Sequence, residues 1–336
     1  MIKRLIVKKL NGKHDFDLTF NSDINIFIGK NGAGKTTLMK LIWAVLSGNI
    51  FPIIILDNLY FNYLRVELDD NKVVDLEIDK VSNTLKYNLL INNFSKHQEI
   101  YDIQKLIDGN SKIKVFFHNN TYIFFPTFRR IEGGFSLNND NEITLELSQI
   151  LNKLAYSLQK NDVHKFILAL STNDIVELLS KEYANIAKAV VDLQSKLLQE
   201  IVNKTNGELK AYLEQGQKEK EILQKPFTEL SQLVKDIFNK GIKITENISI
   251  GDETNAISAD KLSSGEKQML SFFAYNMFYK KAAIFIDEPE ISLHTDWQKV
   301  LFPSLLAQGT ENQFFVATHS PFIYAKYPDK TFNLSK

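Results

Sequence analysis

The feature that most constrains this chain is a glycine-rich string that begins at Gly29 and ends at Thr36. It reads GKNGAGKT and fits the pattern G-x-x-x-x-G-K-[ST], in which backbone N–H groups and a lysine hold phosphate oxygens. The apolar run Ile24 to Ile28 before it predicts a strand, and the run Thr36 to Leu46 predicts a helix. Because the motif requires a strand, a loop and a helix in this order, the sequence predicts a phosphate-binding loop in an α/β fold.

This loop supplies candidate ligands for a nucleotide. We expect the Lys35 ammonium to reach the β- and γ-phosphates, the Thr36 hydroxyl to bind Mg²⁺ and the Thr37 hydroxyl to bond the α-phosphate. The predicted nucleotide-binding residues of the loop are Gly29, Asn31, Gly32, Gly34, Lys35, Thr36 and Thr37.

Two adjacent carboxylates, Asp287 and Glu288, end a second apolar run that starts at Ala282. Burying carboxylates at the end of a strand costs free energy unless a cation or hydrogen bonds compensate, so an ionic role is expected. In a phosphate-loop enzyme, Asp287 would hold Mg²⁺ through water and Glu288 would polarise the attacking water. The pair therefore favours nucleotide hydrolysis.

Two more motifs surround this pair in the sequence. The string LSSGEKQ starts at Leu262 and opens a predicted helix, for which Ser263 or Ser264 is the expected N-cap. A further predicted strand, Gln313 to Thr318, is followed by His319. A lone histidine is usually structural, so a functional role for His319 is inferred only from its position after the other motifs.

Taken in order, the phosphate loop, the LSSGE string, the strand ending in Asp287 and Glu288, and His319 resemble the ATP-binding cassette (ABC) ATPases. The match is close over residues 1–50 and 245–325. The resemblance implies an α/β fold of ABC type, with a mixed central sheet, an antiparallel β-lobe and a helical insertion. It also implies that the chain binds ATP and Mg²⁺, hydrolyses ATP, and closes as a homodimer or higher oligomer around two nucleotides.

The resemblance also assigns roles by motif. Lys35, Glu288 and His319 would be catalytic, with His319 contacting the γ-phosphate of its own subunit. Ser263 and Gly265 would contact the γ-phosphate that the other subunit binds. Each complete site would then need two copies of the chain.

Within the ABC ATPases, the strings DEPEISLH from Asp287 and THSP from Thr318 resemble the OLD and Rad50/SMC branch rather than the transporter ATPases. The chain departs from the family pattern in two places. Ser264 stands where the usual signature has glycine, and no glutamine lies at a clear Q-loop position. Because the chain contains no cysteine, a Cys-x-x-Cys zinc hook is excluded.

The string FPTFRRIE, from Phe125 to Glu132, resembles a segment in the ATPase subunits of two-gene anti-phage systems of the Septu or PARIS type. Arg129 or Arg130 could contact phosphate, because a planar guanidinium suits that contact. The two arginines could equally form a surface pair with Glu132. Both interpretations stay open at this point.

The segment after the first helix predicts β structure. Apolar and polar residues alternate from Asn62 to Asn92, with a turn at Asp69 to Asn71, which predicts an antiparallel meander. A second hairpin is predicted from Lys112 to Phe117 and from Thr121 to Phe125.

Between about residues 143 and 240, apolar residues recur at helical spacing. This pattern predicts a helical subdomain that packs on itself or, alternatively, a projecting coiled-coil hairpin. A strand from Lys243 to Ile250 follows. We therefore divide the chain into an N-terminal ATPase half (1–140), a helical insertion (141–242) and a C-terminal ATPase half (243–336).

Composition limits the partners that we expect. Forty basic residues balance forty acidic ones, so the chain lacks the net positive charge of strongly basic nucleic-acid binders, and a local basic patch stays open. The longest apolar run, Ile50 to Leu56, is far shorter than the roughly 20 residues of a membrane-spanning helix. The lack of cysteine agrees with a reducing compartment. We expect a cytoplasmic protein without a membrane partner.

The function predicted from these features is that of a regulatory ATPase in a bacterial anti-phage complex, which controls a separate nuclease or toxin. The alternative is a DNA-maintenance ATPase of RecF or Rad50 type that clamps DNA, and the neutral net charge weighs mildly against it. An OLD-type nuclease would need a metal-binding TOPRIM domain after the ATPase, and the sequence ends soon after His319.

Overall fold

The computed structural model describes residues 1–48, 60–103 without 80, 83 and 93, 121–127, 130–131, 164–201 without 168 and 171, 206–238, 242–244, 248–250, 257–258 and 262–335. All structural statements below concern these residues.

An antiparallel sheet of six strands is built from the N-terminal part of the chain. Its strands are β1 (Ile2–Leu10), β2 (His14–Thr19), β4 (Tyr63–Leu68), β5 (Lys72–Asp79), β6 (Thr84–Ile91) and β7 (Phe94–Asp102), in the spatial order β2-β1-β4-β5-β6-β7. Burial alternates along β4, where Leu64, Val66 and Leu68 are buried and the residues between them are partly exposed. One face of this sheet therefore packs on the core and the other faces solvent.

A parallel sheet of six strands lies at the centre of the molecule. Its strands are β3 (Ile24–Ile28), β8 (Tyr122–Phe125), β10 (Lys165–Phe166), β15 (Ala283–Asp287), β16 (Gln313–Ala317) and β17 (Thr331–Asn333), in the order β10-β8-β15-β16-β3-β17. All neighbouring strands in it are parallel. Every residue of β8, β15 and β16 is buried, as expected for a parallel sheet covered on both faces.

Two hydrophobic clusters pack on opposite faces of the parallel sheet. Phe285 and Phe315 belong to the cluster that also contains the antiparallel sheet. Ile284 and Phe314, their neighbours in the sequence, belong to the other cluster. The alternation of side chains along each strand thus joins three layers, with the parallel sheet in the middle.

Six α-helices cover these layers in the described part of the chain. They are α1 (Lys35–Ser47), α2 (Thr172–Ile201), α3 (Asn206–Phe238), α4 (Ser264–Phe278), α5 (Thr295–Ala307) and α6 (Pro321–Tyr324). Helix α1 packs with the antiparallel sheet on one face of the parallel sheet, whereas α4 and α5 pack on the other face. No helix among the described residues is long and apolar enough to cross a lipid bilayer.

Helices α2 and α3 form an antiparallel pair that combines the two predicted arrangements. At one end, Leu179 and Leu230 are buried in the cluster that contains α4. Toward the other end, the Tyr212 hydroxyl donates a hydrogen bond to the Glu200 carboxylate (2.6 Å), and Leu198 is 68% exposed. The pair is anchored in the ATPase core and extends away from it.

The fold class predicted from the sequence is confirmed: the molecule is α/β, with a central sheet, an antiparallel β-lobe and a long helical pair that lies in the sequence between β10 and β15. The prediction of a mixed central sheet needs correction, because all the described strands of this sheet are parallel. The strand, loop and helix around Gly29 and the meander at Asp69 to Asn71 are also confirmed. The division at residues 140 and 242 stays a prediction, because 132–163 lie outside the described residues.

Three local predictions need correction or lie outside the described part. Within the region predicted to be helical, Lys165–Phe166 and Ala169–Leu170 form short strands, the second of which (β11) pairs with β9 (Arg130–Ile131). The predicted strand Lys243 to Ile250 is instead a hairpin of two strands, β12 (Ile242–Ile244) and β13 (Ile248–Ile250), which continues to β14 (Ile257–Ser258). Residues 112–117, the first arm of the second predicted hairpin, are not among the described residues.

Candidate nucleotide site

The candidate site lies at the carboxyl ends of four neighbouring parallel strands. The phosphate loop follows β3, Asp287 ends β15, His319 follows β16, and Thr127 follows β8. Ligands of open parallel sheets bind at this edge, because the loops that leave the strands meet there. The sheet order therefore brings together motifs that are far apart in the sequence.

The phosphate loop holds its lysine in a folded position. The Lys35 ammonium donates to the carbonyl oxygens of Gly29 (3.0 Å) and Lys30 (3.3 Å), and it lies 3.0 Å from Nε2 of His319. Gly34 caps α1 with φ of 91°, a left-handed conformation that favours glycine. Lysine, loop backbone and helix N-terminus thus meet at one place, which is the arrangement that binds phosphate.

Burial lowers the pKa of the Lys35 ammonium, and the nearby carboxylates of Glu288, Asp287 and Glu290 oppose this effect. Lys35 is only 7% exposed. A buried cation without a bound anion is costly, so the site is electrostatically prepared for phosphate.

The predicted metal ligands Thr36 and Asp287 are in contact. The Thr36 hydroxyl lies 2.9 Å from both carboxylate oxygens of Asp287, which is 1% exposed. A hydroxyl and a carboxylate are the hard oxygen ligands that Mg²⁺ takes from a protein when phosphates and water complete its shell. The residues present therefore fit a magnesium ion bound together with a nucleotide. The ion would neutralise part of the negative charge of the phosphates.

Thr127 is a site residue that sequence reasoning missed. Its hydroxyl donates a hydrogen bond to Oδ2 of Asp287. It occupies the loop after β8, next to the strand that carries Asp287. No local pattern marks Thr127, because its role depends on β8 pairing with β15.

Glu288 has an unusual backbone conformation. Its φ is 48°, a left-handed value that is rare for residues other than glycine, and its N–H donates to the Ala317 carbonyl (2.8 Å). Burial, followed by the negative charges of Asp287 and Glu290, raises the pKa of its carboxyl group. A carboxylate with a raised pKa at the mouth of a phosphate site suits a general base.

Glu290 fixes the segment that carries the histidine. Its carboxylate accepts from the Thr318 hydroxyl (2.8 Å) and from the N–H of His319 (2.7 Å). The Thr318 oxygen in turn accepts from the Ser320 N–H (2.9 Å). The loop after β15 therefore sets the position of the loop after β16, a connection that the sequence did not predict.

The signature string opens α4 as predicted, and Ser263 is its N-cap. The Ser263 hydroxyl accepts from the Glu266 N–H (3.3 Å), while the Glu266 carboxylate accepts from the Ser263 N–H (2.8 Å), which completes a capping box. Ser263 and Ser264 are exposed, whereas Gly265 is buried. None of the described hydrogen bonds joins Ser263 to the phosphate loop or to His319.

The remaining predicted ligands are Asn31, Thr37 and the arginine pair at 129 and 130. Asn31 is exposed in the turn of the phosphate loop, and Thr37 is partly buried in the first turn of α1. Arg130 lies in strand β9, where its backbone pairs with Ala169, and Arg129 lies outside the described residues. A phosphate contact of either arginine stays a prediction.

A phosphate loop, a threonine and aspartate pair and a carboxylate with a raised pKa, all at the carboxyl edge of a parallel sheet, define a P-loop nucleotide hydrolase. The family model of the AAA ATPase domain (AAA_15) matches residues 1–324. The chain belongs to this family and is an ATPase.

Two kinds of similarity to individual proteins accompany the family match. Over 63 residues, the chain is 43% identical to Endonuclease GajA of Bacillus cereus (strain VD045), a match of 17% of this chain and only 11% of that protein.

Among solved structures, the Smc head domain bound to the C-terminal domain of ScpA from Pyrococcus furiosus is similar with 18% identity and a TM-score of 0.44. That similarity covers 96% of this chain and 91% of the solved one. The SMC head domain of Thermotoga maritima gives the same coverage with 14% identity and a TM-score of 0.48.

Proposed function

We propose that this chain is the ATP-hydrolysing regulatory subunit of a bacterial anti-phage defence complex, of the two-gene kind to which Septu and PARIS belong. In this proposal it dimerises around two ATP–Mg²⁺ and controls a separate nuclease or toxin. The observation that carries the dimer is that none of the described hydrogen bonds joins the signature serines to the phosphate loop or to His319 of the same chain. Ser263 and Ser264 are exposed at the start of a 15-residue helix and bond to none of the described site residues.

An exposed serine at a helix N-terminus is well suited to a γ-phosphate, because the helix dipole favours an anion there. In the proposed dimer, Ser263 of one copy meets the phosphate held by Lys35 of the other copy. ATP then completes the interface, so that its hydrolysis weakens the dimer.

Each residue has a role in the proposed hydrolysis. Glu288 takes a proton from the attacking water, whose oxygen bonds to the γ-phosphorus, while the bond to the bridging oxygen of ADP breaks. Lys35 and His319 would stabilise the charge that develops on the γ-phosphoryl group and on the leaving ADP. Glu290 keeps His319 in place through its backbone N–H.

The separate effector is supported by two observations. Among the described residues, no cluster of three or more His, Asp or Glu side chains is placed to hold a metal ion, as a metal-dependent nuclease would require. The local similarity to GajA, whose name is that of an endonuclease, relates part of the chain to a nuclease, although it spans 11% of that protein. In this proposal, nuclease chemistry belongs to a partner.

The dimer is tested with Glu288→Gln, which keeps the shape of the site and removes the base. We expect ATP hydrolysis to fall about a hundredfold to ten-thousandfold, because a general base contributes about that factor. Light scattering should detect an ATP-dependent dimer of this variant. Glu311→Gln, on an exposed carboxylate that pairs with Lys281, is the matched control and should hydrolyse ATP normally. A variant that stays monomeric with saturating ATP–Mg²⁺ contradicts the dimer.

The effector is tested by purifying the tagged protein from its native host and identifying bound proteins by mass spectrometry. A nuclease or toxin whose activity changes when ATP is added supports the proposal. Recovery of duplex DNA without such a protein, together with ATP-dependent DNA binding by the Glu288→Gln variant, favours the DNA-clamping alternative instead.

A further inference from the structure

The loop that carries Glu288 is held by one face of helix α4. The side-chain amide of Gln268 donates a hydrogen bond to the carbonyl oxygen of Pro289 (2.7 Å), the residue directly after Glu288. One turn earlier, Gly265 lies so close to the loop that an added Cβ would meet the Ser292 carbonyl oxygen at 2.6 Å. Residues three apart share a helix face, so one side of the signature helix contacts the loop at two points.

Both contacts fall beside strained backbone. Glu288 has φ of 48° and Ser292 has φ of 68°, and both values are uncommon for residues with a side chain. Proline additionally favours an extended conformation for the residue before it, which Glu288 does not adopt. Such strain persists only where surrounding contacts enforce it. Here the Glu288 N–H donates to the Ala317 carbonyl, and the carbonyl of the following residue, Pro289, accepts from Gln268.

Gln268 is not explained by stability alone. The residue is completely buried, and its Oε1 accepts no hydrogen bond within the part of the chain that the structure describes. The orientation of the amide is fixed, since a flipped amide would place its oxygen against the Pro289 carbonyl. A buried acceptor without a donor costs folding free energy, and a similar apolar side chain would avoid that cost. A group retained at such a cost requires an explanation, and the bond to Pro289 supplies one.

We propose that Gln268 is a positioning residue for Glu288: it holds the strained loop so that the carboxylate faces the nucleotide, and it thereby couples the signature helix to hydrolysis. The inference rests on the proposed hydrolytic role of Glu288. When Gln268 is removed, the loop relaxes toward ordinary backbone angles and Glu288 moves away from the attacking water. ATP binding is unaffected, because Lys35 and Thr36 belong to another loop.

The test measures ATP hydrolysis and thermal unfolding of the full chain carrying Gln268→Met, a variant of similar volume without the amide. We expect kcat to fall about tenfold to a hundredfold, as misplacement of a catalytic group by about 1 Å does. The KM for ATP should stay within about twofold, and the Tm should not fall, since the unpartnered oxygen is removed as well.

Asn276→Leu is the matched control. Asn276 is a buried amide on the same helix, and its NH₂ group donates to the Leu305 carbonyl (2.8 Å), which belongs to α5 rather than to the Glu288 loop. This variant should lower the Tm and leave kcat near the wild-type value. If Gln268→Met folds and its kcat per folded molecule equals the wild-type value, the inference is wrong.

A double variant separates this inference from the proposed function. If Gln268 acts through Glu288, adding Gln268→Met to Glu288→Gln lowers the residual rate no further and keeps the ATP-dependent dimer. An additive loss contradicts the inference alone. A wild-type protein without ATPase activity would contradict the proposed function and this inference with it.

Should Gln268→Met fail to fold, Gln268→Asn keeps the amide but is one methylene too short to reach Pro289. Its kcat should fall like that expected for the methionine variant. A wild-type kcat in this variant overturns the inference.

Discussion

The two six-stranded sheets of this chain differ in how far their charged side chains are exposed to solvent. In the parallel sheet, strands β15 and β16 are buried along their whole length, and Asp287 at the end of β15 is 1% exposed. In the antiparallel sheet, Arg4 on β1 and Asp17 on β2 form an ion pair of 2.8 Å with side chains 41% and 49% exposed. The charged side chains named here are therefore buried in the parallel sheet and exposed in the antiparallel one.

Burial decides how strongly neighbouring charges interact in each sheet. At the edge of the parallel sheet, Asp287, Glu288 and Lys35 influence one another because little water separates them. On the antiparallel sheet, water screens each pair from the next. A substitution in the first region should change chemistry, and one in the second should change little.

The largest effect is expected for Lys35→Ala, which removes the cation at the centre of the buried edge. Nucleotide affinity, measured by isothermal titration, should fall at least about a hundredfold, because the phosphates lose their main charged partner. Lys30→Ala is the matched control, since Lys30 is an exposed lysine in the same loop whose backbone makes the described contacts. Equal loss of affinity in both variants would contradict the assignment of Lys35.

A smaller effect is expected for Glu290→Ala, which releases the N–H of His319 and the hydroxyl of Thr318. The loop after β16 then loses its fixed position, and kcat should fall about tenfold with a smaller change in the KM for ATP. Steady-state ATPase kinetics check this outcome. Asp296→Ala, an exposed carboxylate in the same segment of the chain, serves as control. A normal kcat in Glu290→Ala would show that His319 does not depend on this clamp.

Site residues that belong to contiguous sequence motifs could be predicted from the sequence. The phosphate loop, Asp287 and Glu288 are contiguous strings, so their spacing alone placed them on a strand end or a helix start, and the structure agrees. The string LSSGE offers both Ser263 and Ser264 as N-cap, and Glu266 three residues after Ser263 is the capping-box signal that decides for Ser263.

Residues whose role depends on strand order could not be predicted. Thr127 reaches Asp287 because β8 lies next to β15, although 160 positions separate the two residues. The two-residue strand β10 is similarly defined by pairing with β8 and not by its own composition, so helical spacing predominated in that region. Tertiary pairing, not local propensity, decides such positions.

A still smaller effect concerns stability and pH. Because burial and the neighbouring carboxylates raise the pKa of Glu288 above its ordinary 4.5, its ionised form is unfavourable in the folded protein. The neutral carboxyl group of Glu288 therefore contributes to stability below the pKa of the unfolded state, and this contribution is lost as pH rises through the pKa of the folded state. In EDTA and without nucleotide, Glu288→Gln should melt at a higher temperature than the wild type at pH 7. The difference should disappear toward pH 4, and a constant difference across this range would contradict the raised pKa.

The smallest effect is expected on the antiparallel sheet, for Arg4→Ala. The hydrogen bonds to Asp17 and the charge of its carboxylate raise the pKa of the Arg4 guanidinium, and both side chains of this pair are exposed to solvent. Because water and salt screen such a pair, the variant should keep the wild-type kcat and a Tm that changes little, at low and at high salt. Thermal unfolding and ATPase assays at two ionic strengths check this. A large loss of activity in Arg4→Ala would mean that the antiparallel sheet communicates with the nucleotide site, and the contrast between the two sheets would then fail.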